Sequence, residues 1–547
     1  MKPAGPLKFT IEPEDAAIAP PTAFEAAPAR QGVRVLAIVV FSVLLLLAGR
    51  AVQLAFAGDP LADKHRAGGA AIARADIVDR NGVLLATTVR AFALTATPER
   101  VWDAHATANA LRSLFPELDQ AQLERRLADK THDVVYLRRS LSPQDRAHVL
   151  ALGLAGIGFE TEDKRDYPQG ALAAHAIGFT NVDLAPMAGI EHGLDAAIRE
   201  DGASGRALRL SLDVRLQYVV ETELARAAIA AHASGGAAIL LDAKTGETLA
   251  LASWPSFDPN QFATAPEDAR RDRVAGDVHE LGSTIKPFTL AMALDEHRTS
   301  ADERFDLMQP FIVDGQQIDD YDDVKGAAGL REILAYSSNR GAARLALRVG
   351  AQRQRFYLDR LGLLAPAPIE SGRHQAPIAP PARSNRDVAG LGFGYGLAAT
   401  PAALAGAYTV FANDGARVTA TLLVHGPGDP IQRTPVFTPQ STRIILADMR
   451  ATVTEGTGKA ADIPGLEIAG KTGTAEKLGD DASYSQGRNF SSFAAVFPAS
   501  APRYVMLLSL DDVGLGGAGG TVAAPAVGRI AERIAPMLGM RVTRPAR

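Results

Sequence analysis

The spacing of apolar positions changes several times along this chain, and each change marks an expected element. Residues 35–49 form an apolar run broken only by Ser42, and after Arg50 residues 51–57 are again mostly apolar. Counted across Arg50 the stretch is 23 residues long, enough to cross a hydrocarbon core as a helix, with Arg50 reaching to the interface. Residues 1–34 are rich in Ala and Pro and lack periodicity, which predicts a disordered tail. Residues 58–70 read as a polar connector. Between 71 and 212, short apolar runs mix with helical spacing. Asp79-Arg80-Asn81-Gly82 is a turn signal between Ile77-Val78 and Val83-Leu84-Leu85. Residues 104–127 read as helical with a break at Pro116, because Leu111 and Leu114 before it and Leu123 and Leu127 after it keep helical spacing. Residues 213–230 predict a helix with Asp213 at the end where negative charge is favoured. Apolar runs at 237–241 and 248–252 flank Lys244-Thr245-Gly246, a hairpin turn with Gly supplying the backbone freedom. Residues 466–477 read as one strand, 503–510 as a strongly apolar strand and 522–537 as a helix. Strands at both ends of a helical middle predict an antiparallel sheet flanked by helices, an α+β architecture.

A cleaved signal peptide competes with a retained anchor for residues 35–57, since Ala55-Phe56-Ala57 has the small-x-small form of a cleavage site. Arg50 between the apolar core and that site, and the long tail before it, favour the anchor. Orientation is weakly specified: Arg30 and Arg34 flank one side, and Arg50, Lys64 and Arg66 the other.

A length of 547 residues calls for two or three domains, and 47% hydrophobic residues supply their cores. A net charge of −5 gives no reason to expect a nucleic-acid partner. With no cysteine, disulfides, cysteine nucleophiles and thiolate metal sites are excluded. The 11 histidines are scattered without metal-ligand spacing, so no metal or cofactor is expected.

The candidate chemistry lies in three short motifs. In Ser283-Thr284-Ile285-Lys286 the lysine falls one helical turn after the serine. A helix would put both on one face, placing an amine near a hydroxyl that needs a base. Taken alone the pair reads first as a helix start with an ordinary surface lysine. Ser337-Ser338-Asn339 is uninformative by itself. Lys-Thr-Gly occurs twice, at Lys244 and at Lys471-Thr472-Gly473, and the first copy has a structural reading as a turn. The joint order carries the signal, with 54 residues from Ser283 to Ser337 and 188 from Ser283 to Lys471.

In that order the motifs resemble those of penicillin-binding proteins and serine β-lactamases. Further segments resemble class B penicillin-binding proteins: residues 254–262 upstream of Ser283, the glycine-rich Gly392-Phe393-Gly394-Tyr395-Gly396 with the helix after it, and residues 452–477. Residues 75–82, Arg165-Asp166-Tyr167-Pro168 and residues 174–179 resemble that family's pedestal domain. The likeness covers roughly residues 35–540 and is strongest for division-type (septal) transpeptidases. Leu281 stands where many members carry proline.

The resemblance implies a cytoplasmic tail (1–34), an inner-membrane anchor (35–57), a pedestal (58–212), a transpeptidase domain (213–540) and a short tail (541–547), the catalytic part lying in the periplasm. It implies Ser283 as nucleophile and Lys286 as base, its amine depressed by burial or by Lys471. Ser337 is implied as a proton relay, and Asn339 as a ligand of Lys286 and of a substrate amide. The N–H groups of Ser283 and Thr474 are implied for the oxyanion, and Lys471, Thr472, Gly473 and Thr474 for the substrate's terminal carboxylate. The implied substrates are peptidoglycan stem peptides ending in D-Ala-D-Ala on glycan strands from lipid-linked precursors. β-Lactams are implied inhibitors, and a membrane-embedded lipid-linked-sugar polymerase and other divisome proteins are implied partners. No Glu-x-x-Leu-Asn lies between Asn339 and Lys471, so β-lactams should stay bound. The rivals are a β-lactamase or carboxypeptidase, disfavoured by the anchor and pedestal, an elongation-type transpeptidase with the same motifs, and a catalytically silent scaffold.

Overall fold

The computed structural model describes residues 38–47 and 74–542, apart from 322–323, 325, 373, 479–483 and 515–516. Contacts divide the chain at Ala71/Ile72. In the first unit residues 38–47 are helical and exposed. No described helix is long and apolar enough to cross a membrane, and the remainder of the expected 35–57 span, like the 1–34 tail, lies outside the described residues.

The second unit begins with the expected turn. β1 (Ile77–Val78) and β2 (Leu84–Ala96) pair antiparallel across it, with the Asp79 carboxylate accepting from the N–H groups of Asn81 and Val83 at 2.7 and 2.8 Å. α1 (Ala104–Leu114) and α2 (Gln120–Ala128) are capped by Asp103 and Asp119. The chain between them contains Pro116, as its lost N–H requires. β3 (Val135–Leu141) and β4 (Ile157–Asp166) both pair with β2. β1 also pairs in parallel with β5 (Leu208–Arg209). Arg74, Arg165 and Glu191 form a buried triad here.

α3 (Val214–Ala230) starts at an Asp213 cap and leads to the hairpin of β6 (Gly235–Asp242) and β7 (Thr248–Trp254). Then come α4 (Lys286–Asp295), the short hairpin β8 (Phe311–Val313) and β9 (Gln316–Ile318), α5 (Leu330–Ala335), α6 (Asn339–Val349), α7 (Asn385–Leu391), α8 (Pro401–Tyr408) and α9 (Pro439–Thr454). The chain returns through β10 (Ala469–Leu478), β11 (Tyr484–Phe497), β12 (Tyr504–Val513) and α10 (Ala523–Ile534). These strands make one antiparallel sheet in the order β10-β11-β12-β6-β7. Every residue of β6 is buried, because both faces are covered. Ala237, Ile239 and Leu241 join a core with the helical middle, while Ala238 and Leu240 pack with α3 and α10. Strands covered on both sides read as continuous apolar runs rather than alternations, which is how β6, β7 and β12 read in the sequence. β10 begins at Ala469 rather than at 466, because Glu467 has φ +46° and turns the chain there.

The segments that resemble the pedestal meet those that precede Ser283. Asn260 clasps Tyr167 through both backbone groups, at 3.0 and 2.9 Å. Phe179 stacks on Phe262 at 5.0 Å, and the buried His175 contacts Ala269 O at 2.8 Å.

Candidate active site

Ser283 lies in a 3-10 turn, Gly282–Ile285, that runs into α4 at Lys286. Pro287 occupies the first turn of α4, where its missing N–H costs nothing. Several contacts fix the turn. Thr284 Oγ1 donates to Leu281 O at 2.5 Å. The fully buried Tyr408 donates to Thr284 O at 2.7 Å and packs edge-on against Phe288. Gly282 adopts φ +50° and is pressed from two sides. A Cβ on Gly394 would fall 2.0 Å from Gly282 O, and one on Gly282 would fall 3.0 Å from Thr474 O. The glycine-rich stretch and the Lys471 strand thus close on the serine by backbone.

Lys286 is fully buried. Its Nζ donates to Ser337 O (2.5 Å), Ser337 Oγ (3.1 Å) and Asn339 Oδ1 (2.7 Å). The helical-face expectation was a direct link from Lys286 to Ser283. The three hydrogen bonds of the amine go to the Ser337-Ser338-Asn339 motif, while the 3-10 turn keeps Ser283 and Lys286 on one side of the chain. Ser283 is half-buried, and among the described residues its Oγ makes no hydrogen bond.

Ser337 takes φ +61°, a strained conformation for a residue with a side chain. The α6 N-terminus holds it there. Ser338 Oγ accepts from Gly341 N at 3.0 Å and donates to Asp320 Oδ2 at 2.8 Å, while Asp320 Oδ1 accepts from Arg340 N at 2.9 Å. Asn339 Nδ2 donates to Asp319 O at 2.8 Å, which fixes the orientation in which Oδ1 faces Lys286.

Lys471 on β10 is the second fully buried amine. It donates to Ser337 Oγ at 2.9 Å and to Thr472 O and Oγ1 at 3.1 and 3.2 Å. Thr472 Oγ1 also meets Thr457 Oγ1 at 2.8 Å. Gly473 pairs with Ser492 of β11, and Thr474 is exposed, its Oγ1 accepting from Gly519 N at 3.1 Å. Two amines therefore converge on one hydroxyl. Burial lowers Lys471 to about 7. Burial, then the positive charge of Lys471, hold Lys286 well below the ordinary lysine value, with Asp320 opposing. Such a pair gains or loses protons as a unit, and near neutral pH it can hold an unprotonated amine, as base catalysis requires.

The first motif, Ser337, Asn339, Lys471 and Thr472 are linked in one cluster, and Gly473 and Thr474 border it. Lys244 is elsewhere, donating to Ala412 O, with Gly246 at φ +82° in its hairpin. Sequence reasoning missed Asp320, Thr457 and Tyr408. Asp320 acts through two long-range bonds and Thr457 and Tyr408 through one side-chain bond each, and none belongs to a local pattern. Among the described residues no group of His, Cys, Asp or Glu is placed to hold a metal ion.

Comparison with known proteins places this geometry. Residues 236–532 match the model of the penicillin binding protein transpeptidase domain, and residues 70–198 that of the penicillin-binding protein dimerisation domain. The chain is 39% identical over 86% of its length to the probable peptidoglycan D,D-transpeptidase FtsI of Caulobacter vibrioides, covering 82% of that protein. It is 32% identical over 84% of its length to the peptidoglycan D,D-transpeptidase FtsI of Escherichia coli K12, again covering 82%. The crystal structure of penicillin binding protein 3 from Mycobacterium tuberculosis in complex with aztreonam superposes with a TM-score of 0.68 at 25% identity, over 86% of this chain and 98% of that one. The chain belongs to the penicillin-binding protein transpeptidase family, in its two-domain class B, division-type branch.

Proposed function

We propose that this protein is a peptidoglycan D,D-transpeptidase that cross-links stem peptides ending in D-Ala-D-Ala, with Ser283 as nucleophile. The observation that carries the residue assignment is the convergence of two buried lysines on Ser337 Oγ beside the turn that holds Ser283. Ser283 Oγ attacks the carbonyl of the penultimate D-Ala, and its proton passes to the unprotonated Lys286 amine. The charge developing on the carbonyl oxygen is met by the N–H groups of Ser283 and Thr474, whose backbones are brought together by the absence of a Cβ at Gly282. Collapse breaks the C–N bond, and Ser337 Oγ, shared by both lysines, hands a proton to the departing D-Ala nitrogen. An acceptor amine then takes the acyl group and releases Ser283. Asn339 holds the substrate amide, while Lys471, Thr472 and Thr474 receive the terminal carboxylate, with Gly473 letting the strand approach. β-Lactams acylate the same serine and persist.

The site of action is the division septum, as the names of the FtsI relatives suggest. Residues 35–57 serve as the inner-membrane anchor, with residues 1–34 cytoplasmic and the rest periplasmic. Residues 58–212 form the pedestal that presents the catalytic domain, 213–540, to glycan strands and to divisome partners, a membrane-embedded lipid-linked-sugar polymerase among them. The test is depletion in the native host. Filaments rescued by the wild-type gene and not by Ser283→Ala support a catalytic division role. Round cells would assign the protein to elongation, and rescue by Ser283→Ala would make it a scaffold.

A further inference from the structure

A groove of about 830 Å³ opens beyond Asn339. One wall is the β8–β9 hairpin, with Gln316 and Gln317 among its lining residues; the other is residues 380–387 leading into α7, with Phe393 and Tyr395 further along. Four charged side chains line it: Asp319, Asp387, Arg383 and Arg386. Both carboxylates are committed. Asp319 Oδ1 accepts from Arg340 at 3.2 Å and from Gln317 Nε2 at 2.7 Å. Asp387 Oδ2 accepts from the N–H groups of Arg383 and Ser384 at 2.8 and 3.0 Å. The arginines are held by their backbones, Arg383 as just described and Arg386 through its N–H to Asp314 Oδ2 at 2.9 Å. Among the described residues neither guanidinium has an ion-pair or hydrogen-bond partner. Two exposed cations on anchored backbone, neither of them closely paired and Arg386 acting on Asp387 only through its charge, therefore face a cavity that continues the active site.

Chain direction says what the cavity is for. With the terminal carboxylate at Lys471–Thr474, the scissile carbonyl at Ser283 and the next amide at Asn339, the upstream part of a stem peptide leaves past Asn339. We infer that the groove is the subsite for that upstream stem, and that Arg383 and Arg386 select stems carrying a free carboxylate there. This rests on the transpeptidase reading above. The glutamines suit peptide amides, and a fork of guanidinium donors suits a carboxylate. Each exposed pairing is weak alone, but two on one carboxylate amount to about tenfold in kcat/KM.

The test uses the full chain in detergent and two synthetic stem-peptide thioesters ending in the D-Ala-D-Ala analogue. They are identical except that the upstream stem residue bears a free carboxylate in one and a primary amide in the other. Wild type should consume the acid about tenfold faster in kcat/KM. Arg383→Ala/Arg386→Ala should lose that preference while benzylpenicillin, too short to enter the groove, acylates Ser283 at the wild-type rate. A wild type that treats the two thioesters alike overturns the inference without any variant, and so does a double variant that keeps the preference. Failure of benzylpenicillin to acylate wild type would bring down the underlying transpeptidase reading instead.

Discussion

The two copies of Lys-Thr-Gly allow a matched experiment, because the same substitution in each meets different physics. A Cβ on Gly473 would fall 2.3 Å from Ser492 Oγ and 2.8 Å from Thr284 Cγ2. Ser492 can rotate its hydroxyl away. Thr284 is fully buried, with its own hydroxyl bonded to Leu281 O and its carbonyl to Tyr408, so relief must come from moving β10 away from the turn that carries Ser283. Ordinary contact begins at 3.4 Å, and the separation has to grow by about half an ångström. Since displacements near 1 Å cost about a hundredfold in rate, Gly473→Ala should slow acylation by penicillin about ten- to a hundredfold, with a stability loss of about 1–3 kcal/mol. Gly246 has φ +82°, and its Cβ would fall 2.0 Å from Thr419 O, far from the chemistry. Gly246→Ala should cost about 2 kcal/mol or more in stability yet leave folded molecules acylating at the wild-type rate. The assay is the second-order rate constant of a fluorescent penicillin, normalised to the labelled fraction, beside thermal unfolding of the same samples. Gly473→Ala acylating within twofold of wild type would refute the steric argument, as would Gly246→Ala losing rate per folded molecule.

Four more outcomes are expected. Acylation needs an unprotonated amine in the Lys286–Lys471 pair, and both are lowered; the rate should therefore be present at about pH 8 and fall as pH drops through about 7, and a flat profile from pH 5 to about 9 would remove lysine as the base. An unfolded lysine holds its proton to far higher pH than buried Lys471 at about 7, so stability should rise from about pH 7 towards pH 10. Lys471→Met should raise stability at pH 7 by about 2 kcal/mol while abolishing labelling, and a destabilised variant would show the amine to be well accommodated. Glu191→Gln leaves the buried Arg74 and Arg165 without their shared carboxylate and should cost about 3 kcal/mol, read by denaturant unfolding, with a loss below about 1 kcal/mol contradicting it.

The sequence was informative where a local pattern carries the physics. Asp213 and Pro116 marked helix ends through backbone bonding rules, and continuous apolar runs marked β6, β7 and β12, which are covered on both faces. The pairing of Ser283 with Lys286 was legible as spacing but not as geometry. The hydrogen bonds of the amine to Ser337 and Asn339 cross more than 50 residues of chain, and no local pattern announces them. Ser337 gave no sign of its left-handed backbone, which depends on Asp320 gripping the α6 terminus from a distant loop. Thr457 and Tyr408 escaped notice for the same reason, being single long-range bonds. The second Lys-Thr-Gly was separable from the first only by its neighbours, apolar runs on both sides of Lys244 against a strand through Lys471.

The most direct test of the account is to react the full-length protein with benzylpenicillin at neutral pH, digest it and locate the adduct by mass spectrometry. One stable penicilloyl group is expected, on Ser283, absent from Ser283→Ala and from Lys286→Gln. An adduct on another residue, or none in a protein shown to be folded, would contradict the assignment of this site as the seat of acyl transfer.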